Sequence, residues 1–298
     1  MTHRSGKQRR AGWTFLQPIR VCFILHSRVV LVKPVWYNSH QLGPVGYRVL
    51  ILYALWGLFA GAFLNLAADQ LPLRRSILSL PYCGSCGVRG TWRDVVSLSG
   101  LVLSRGECRQ CGSPYPLRRP VLETVTVLAF AFFWLRYGPS VQLVLVTLYA
   151  CALFLIFVID LEHRLILRVV IYPVIALAII GSNFYPGLGL RRAMLGGAVA
   201  FSFFYLLVLI GGLLFKRPAM GWGDANLAAF VGLITGFPEV ILTLVIAVSL
   251  GGLVSLALVL SRAKGLRSYI PYGVFLAAAG LVVLVFGGEI IGWYFGLY

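Results

Sequence analysis

The sequence predicts an all-α polytopic membrane protein of about eight transmembrane helices, with one small polar loop domain on the cytoplasmic side. Three observations predict it. Of 298 residues, 59% are hydrophobic and 12% charged, with a mean hydropathy of +0.88; a soluble domain carries about 25% charged residues. The apolar residues fall in long runs. The basic residues fall in the turns between them. A water-soluble domain is excluded, as are disorder, which needs low hydrophobicity, and a disulfide-rich secreted mini-protein, because six cysteines are sparse for this length. The net charge is +17, which in a soluble chain would suggest nucleic acid. Here the cations are spread over short turns, with no stripe of stacking aromatics. The expected partner is therefore the lipid bilayer and not nucleic acid.

The elements follow in order. Residues 1–47 form a basic extension whose apolar stretch is interrupted by His26, Ser27 and Arg28, leaving pieces too short to span. The first span covers 48–71, with its apolar run from Val49. A polar loop, 72–120, follows. The remaining segment, 121–298, holds spans near 121–137, 141–160, 167–185, 193–215, 224–237, 239–261 and 270–296, two of them short for a crossing of about 20 residues. Eight arginines against Asp94 and Glu107 place the 72–119 loop in the cytoplasm. The 160–168 turn and the turns holding Lys216 and Arg262 then share that side. Arg191 and Arg192 fall outside, as do the eight Lys and Arg of the first 48 residues. The latter conflict is relieved if Met1 is not the natural start.

The loop carries Cys83-x2-Cys86 and, after 21 intervening residues, Cys108-x2-Cys111, each pair followed by glycine. Two such knuckles offer four thiolates at zinc-ribbon spacing. A reducing compartment disfavours disulfides, so the expected cofactor is a structural Zn2+. Four sulfurs leave no open position for catalysis, and the metal folds a loop with too little core of its own. Cys151, mid-span, reads as a small packing residue.

Only four aspartates occur: Asp69, Asp94, Asp160 and Asp224. Asp160 ends an apolar run at a helix C-terminus, where the dipole disfavours a negative charge. Its structural reading is an ion pair with Arg164 at i+4. Asp224 follows Gly221-Trp222-Gly223, and its structural reading is a helix N-cap. Topology puts both at one membrane face. Two carboxylates there can share a proton, one acting as acid and the other as base, and can activate water without a covalent intermediate. Intramembrane acids can equally serve ion movement. Asp69 reads as an interfacial charge near Arg74 and Arg75.

Together these residues resemble the type 4 prepilin peptidase family of Gly-x-Gly-Asp membrane proteases, over residues 48–298. The resemblance is carried by Gly61-Ala62-Phe63-Leu64-Asn65 with Leu71-Pro72 in the first span, then by the double Cys-x2-Cys loop ending in Arg118-Arg119-Pro120-Val121-Leu122-Glu123. Asp160-Leu161-Glu162-His163, Gly221-Trp222-Gly223-Asp224 and Pro271-Tyr272-Gly273 complete it. It implies that Asp160 and Asp224 are the catalytic pair, supported by Gly221, Gly223, Pro271 and Gly273. It implies leader cleavage of prepilin or pseudopilin substrates at the cytoplasmic face of a bacterial inner membrane. It also implies methylation of the new N-terminus with S-adenosylmethionine, for which Asp94 and Glu123 are candidates. Their plainer readings are a solvated loop charge and a dipole-favoured helix N-terminal acid.

The chain departs from the family pattern at Gln70 (usually Arg), at Asp94-Val95-Val96-Ser97, at Leu167-Arg168 (usually Pro-Asp) and at Asn226 (commonly Lys). The peptidase pair is intact, whereas the loop tied to methyl transfer is altered. Three alternatives stand beside this reading. One is a peptidase without methyl transfer. A second is another Gly-x-Gly-Asp protease such as the archaeal preflagellin type, which resembles this chain only in the aspartate core. The third is a zinc-stabilised membrane scaffold or a transporter. A transporter would carry midplane charges and repeat symmetry; Glu289 is the one acid deep in a late span.

Overall fold

The computed structural model describes residues 44–76, 83, 85–88, 96, 107–108, 110–114, 116–215, 221–261 and 271–294. All of these lie in the unit Val32–Tyr298. Asp94, Cys22 and the turns holding Lys216 and Arg262 fall outside the described residues.

Eight helices occur among the described residues: α1 (Pro44–Gln70), α2 (Arg118–Tyr137), α3 (Val141–His163), α4 (Arg168–Gly181), α5 (Gly189–Phe215), α6 (Trp222–Thr235), α7 (Glu239–Leu260) and α8 (Gly273–Tyr294). Their order matches the expected spans. Six are long and apolar enough to cross a membrane, as in a multi-pass membrane protein. The exceptions are α4 and α6, with 14 residues each. At 1.5 Å per residue they reach about 21 Å, short of a hydrocarbon core of about 30 Å. Both short helices begin beside the candidate site.

Leu, Val, Ile and Ala dominate every helix, so periodicity alone does not say which face turns inward. Burial does. The centre is α8, on which α3, α6 and α7 pack; α5 and α4 lie on α6, and the α1–α2 pair lies on α3. Tyr149, Leu153, Leu227, Phe230 and Leu276 are fully buried there. Trp56, Phe59, Leu128, Leu213 and Leu253 instead point outward. A belt of exposed large apolar side chains is the surface that lipid requires.

Close helix approach depends on missing side chains. A Cβ on Gly61 would lie 2.3 Å from Thr126 Oγ1 and 2.8 Å from Glu123 Cα; one on Gly196 would lie 2.3 Å from the Gly232 carbonyl oxygen. With Gly57, Gly61 forms a Gly-x3-Gly stripe that lets α1 and α2 pack closely. Cys151 sits part-buried against the second core cluster, as a packing residue does.

Helix ends are set locally. Ser140 caps α3 by accepting the Leu143 N–H at 3.2 Å. At the other end Arg164 takes the left-handed conformation (φ 53°), and its N–H bonds the Asp160 carbonyl. That geometry turns the chain sharply into α4.

Candidate active site

Asp160 lies in the last turn of α3 and Asp224 in the first turn of α6. Helices α3 and α6 both pack on α8. The two carboxylates are 2% and 3% exposed, and they are near enough to act on each other electrostatically. Asp160 Oδ2 accepts the Val274 N–H at 3.1 Å, at the start of α8. Asp224 Oδ2 accepts the Gly221 N–H at 3.3 Å.

Gly223 and Gly273 have a steric reason. A Cβ on Gly273 would lie 2.7 Å from Asp160 Oδ2, and one on Gly223 would lie 2.8 Å from Ile166 Cβ. The Ile166 Cδ1 would be 3.3 Å from the Gly273 Cβ. Ile166 is thus wedged between the two glycine turns that hold the acids. Pro271 precedes this start of α8 and lacks an N–H, consistent with a turn.

The structural readings of the two aspartates need correction. Asp160 has no ion pair with Arg164 among the described residues. The left-handed turn makes Arg164 a C-cap, and its guanidinium acts only at a distance. Asp224 is the third residue of α6 and not its N-cap. Gly221 is the N-cap, and the Asp224 carboxylate reaches back to its N–H.

Asp69 is not partnered by Arg74 or Arg75. It binds Arg118 and, at 2.8 Å, Arg119, both at the start of α2. Arg118 also holds Glu162, two residues beyond Asp160. One guanidinium therefore ties the loop-side ends of α1, α2 and α3. Nothing in the sequence marked these partners, since Asp69 and Arg118 are 49 residues apart. Glu123 is likewise not in the first helical turn. It lies in the second turn of α2 and is fully buried, with the Asn65 amide 3.4 Å away donating to Oε1. Asn65 also donates to the Arg119 carbonyl at 2.9 Å.

A cavity of about 400 Å³ opens beside Asp224, at the starts of α4 and α6. Ile166, Arg168, Tyr172, Trp222, Gly223 and Asn226 line it. The aspartates do not line it, but their neighbours Gly223 and Ile166 do.

The four loop cysteines come together, with all sulfurs within 4.8 Å of one another. Cys83 and Cys111 are 3.6 Å apart, and Cys86 and Cys108 are 3.9 Å apart. A tetrahedron of Zn–S bonds of about 2.3 Å has edges of about 3.8 Å, so the cluster fits this ion. The two knuckles have the same geometry. Gly87 and Gly112 (φ 69° and 68°) donate to the Cys83 and Cys108 carbonyls at 2.9 Å. A left-handed residue closes each turn, which is why glycine follows each pair. The Ser113 hydroxyl and the N–H groups of Cys86 and Ser85 hold the Cys83 thiol down to about 5. Cys86 is pushed up to about 12, its backbone contact to Val88 outweighed by Cys83, burial, Cys111 and Cys108 together. Four cysteine sulfurs this close could hold a metal ion.

At the far ends of α2 and α8, Arg136 pairs with Glu289 at 2.9 Å and donates to the Val285 carbonyl.

The chain is similar to known proteins over most of its length. The pattern described as the bacterial peptidase A24 N-terminal domain matches residues 55–137, and that of the type IV leader peptidase family matches residues 147–256. A prepilin leader peptidase/N-methyltransferase of Legionella pneumophila is 29% identical over 218 residues, 73% of this chain and 76% of its own. The protein of that name from Vibrio cholerae is 31% identical over 201 residues, 64% of this chain and 79% of its own. That from Bacillus subtilis is 28% identical over 253 residues, 83% of this chain and 98% of its own. No solved structure matches the chain. Two matched segments in family order, and relatives aligned over most of their own length, lead to one conclusion: this chain is a peptidase belonging to the type IV leader peptidase family.

Proposed function

We propose that the protein cleaves the leader peptide of prepilin-like substrates at the cytoplasmic face of the inner membrane, with Asp160 and Asp224 as the catalytic pair. The observation that carries this reading is a pair of buried acids, near each other, each held by a backbone N–H and neither by an arginine. Like charges in one buried site do not both ionise, so one carboxyl keeps its proton. The ionised partner takes a proton from water, whose oxygen attacks the scissile carbonyl carbon. The protonated carboxyl gives its proton to the carbonyl oxygen, forming a gem-diol. Collapse breaks the C–N bond as a proton passes to the leaving amine. Gly223, Pro271 and Gly273 support this at the turns that place the acids, and Gly221 does so through the N–H that holds Asp224.

The loop at 72–120 is read as a zinc knuckle pair, with Cys83, Cys86, Cys108 and Cys111 as ligands in a structural role. Zinc bound there would fold the loop and stay outside the chemistry. The relatives' name couples peptidase to N-methyltransferase. We extend that second activity to this chain, with S-adenosylmethionine as methyl donor and Asp94 and Glu123 as candidate residues. Glu123 is fully buried and acts there as a positioning residue, through Asn65.

The test is cleavage of a model prepilin by the full chain in membranes, followed by mass analysis of the new N-terminus. Cleavage by wild type and none by Asp160→Ala or Asp224→Ala is expected, with one methyl added to the product. Elemental analysis should find one zinc per chain, and none in Cys108→Ser. A wild type that is folded yet leaves prepilins uncut would sink the peptidase reading. Cleavage without methylation would leave a peptidase alone.

A further inference from the structure

We infer that the cavity beside Asp224 is a subsite for an acidic side chain of the substrate, near the scissile bond, with Arg168 as its charge partner. This rests on the reading of Asp160 and Asp224 as the peptidase pair.

Position comes first. Ile166 and Gly223 line the cavity, and the same two residues pack against each other at the turn that carries Asp224. A peptide crossing the aspartates therefore has the cavity within one side chain's reach. A volume of about 400 Å³ is enough for a large side chain with its backbone, at the lower end of ordinary ligand pockets.

Charge comes second. Arg168 is the one ionised residue in the lining, and no acid lines it. Among the described residues the guanidinium of Arg168 and the amide of Asn226 make no hydrogen bond or ion pair, so both are open to a ligand. Arg168 is also the first residue of α4, where the helix dipole disfavours a cation. Arg168 is exposed at the mouth of the cavity, so its guanidinium is open to an incoming carboxylate. Arg168 offers a forked donor that matches a carboxylate, and Asn226 adds an N–H.

The walls come third. Tyr172 and Trp222 flank the charge and are 53% and 59% exposed. Aromatic lips at the membrane–water boundary shield one side of an ion pair while leaving the mouth open to a peptide.

The experiment uses the full-length enzyme in neutral phosphatidylcholine vesicles and, in parallel, vesicles containing phosphatidylglycerol. Model prepilins carry a single acid scanned through the positions on either side of the scissile bond, each compared with its amide. At one position the acid should raise kcat/KM about three- to tenfold, a charged hydrogen bond discounted for exposure. In Arg168→Gln that ratio should fall to near one, and Arg168→Glu should instead favour lysine there. An acid-to-amide ratio near one at every position, while wild type cleaves normally, overturns the inference. So does a rate that follows anionic lipid and ignores substrate charge, which would assign the cavity to a lipid headgroup. If no prepilin is cut, the peptidase reading falls and the subsite with it. Should the Arg168 variants fail to fold, the wild-type substrate series decides alone.

Discussion

Two sets of acids in the bundle contrast. Asp69, Glu162 and Glu289 each meet an arginine from another helix. Asp160 and Asp224 are more deeply buried, yet each is held only by a backbone N–H, with no ion pair among the described residues. Burying a carboxyl without a cation costs stability, and nothing in packing repays it. The paired acids hold helices together. The unpaired ones are kept for chemistry, where a fixed arginine would pin both carboxyls in the ionised form.

The sharpest break of this comparison is at the unpaired acids. Asp160→Asn or Asp224→Asn should lower the cleavage rate by about 1,000-fold or more, with no loss of thermal stability. A variant that keeps a tenth of the rate would remove that aspartate from the mechanism. The paired acids should behave in reverse. Arg136→Ala leaves Glu289 without its cation in a largely buried place and should cost about 3 kcal/mol of stability. Thermal unfolding in detergent reads this, and Glu289→Gln added to it should recover part of the loss.

Arg118→Ala should cost less, about 2 kcal/mol, because Arg118 is 15% and Glu162 35% exposed. Added salt should shrink the Arg118 effect and leave that of Arg136 nearly unchanged. Equal salt responses would mean that both pairs are solvated alike. The smallest effect belongs to the turn after Asp160. Arg164→Gly relieves a left-handed arginine and should stabilise by about 0.5–1 kcal/mol. A loss of stability there would show that the distant charge of Arg164 matters more to Asp160 than the turn does.

Sequence alone was enough for the helix order, the two cysteine knuckles and the two aspartates, whereas of the eight expected spans the structure makes six long enough to cross, among the described residues. All of these are local: a run of apolar residues, a spacing of three, a glycine where a left-handed turn closes. Which charges meet depends on how the helices pack. Asp69 looks to Arg74 and Arg75 along the chain, but the folded-back α2 supplies Arg118 and Arg119 instead. Asp224 looks like a cap until the turn at Gly221 shifts it to the third position. Glu123 moved from a helix end to a buried second turn because α2 starts at Arg118. Arg136 and Glu289, 153 residues apart, and the union of Arg168 with Asn226 in one cavity have no local signature at all. Hydropathy and spacing act through neighbours in the chain. Ion pairs and cavities are made by residues that become neighbours only when the helices pack.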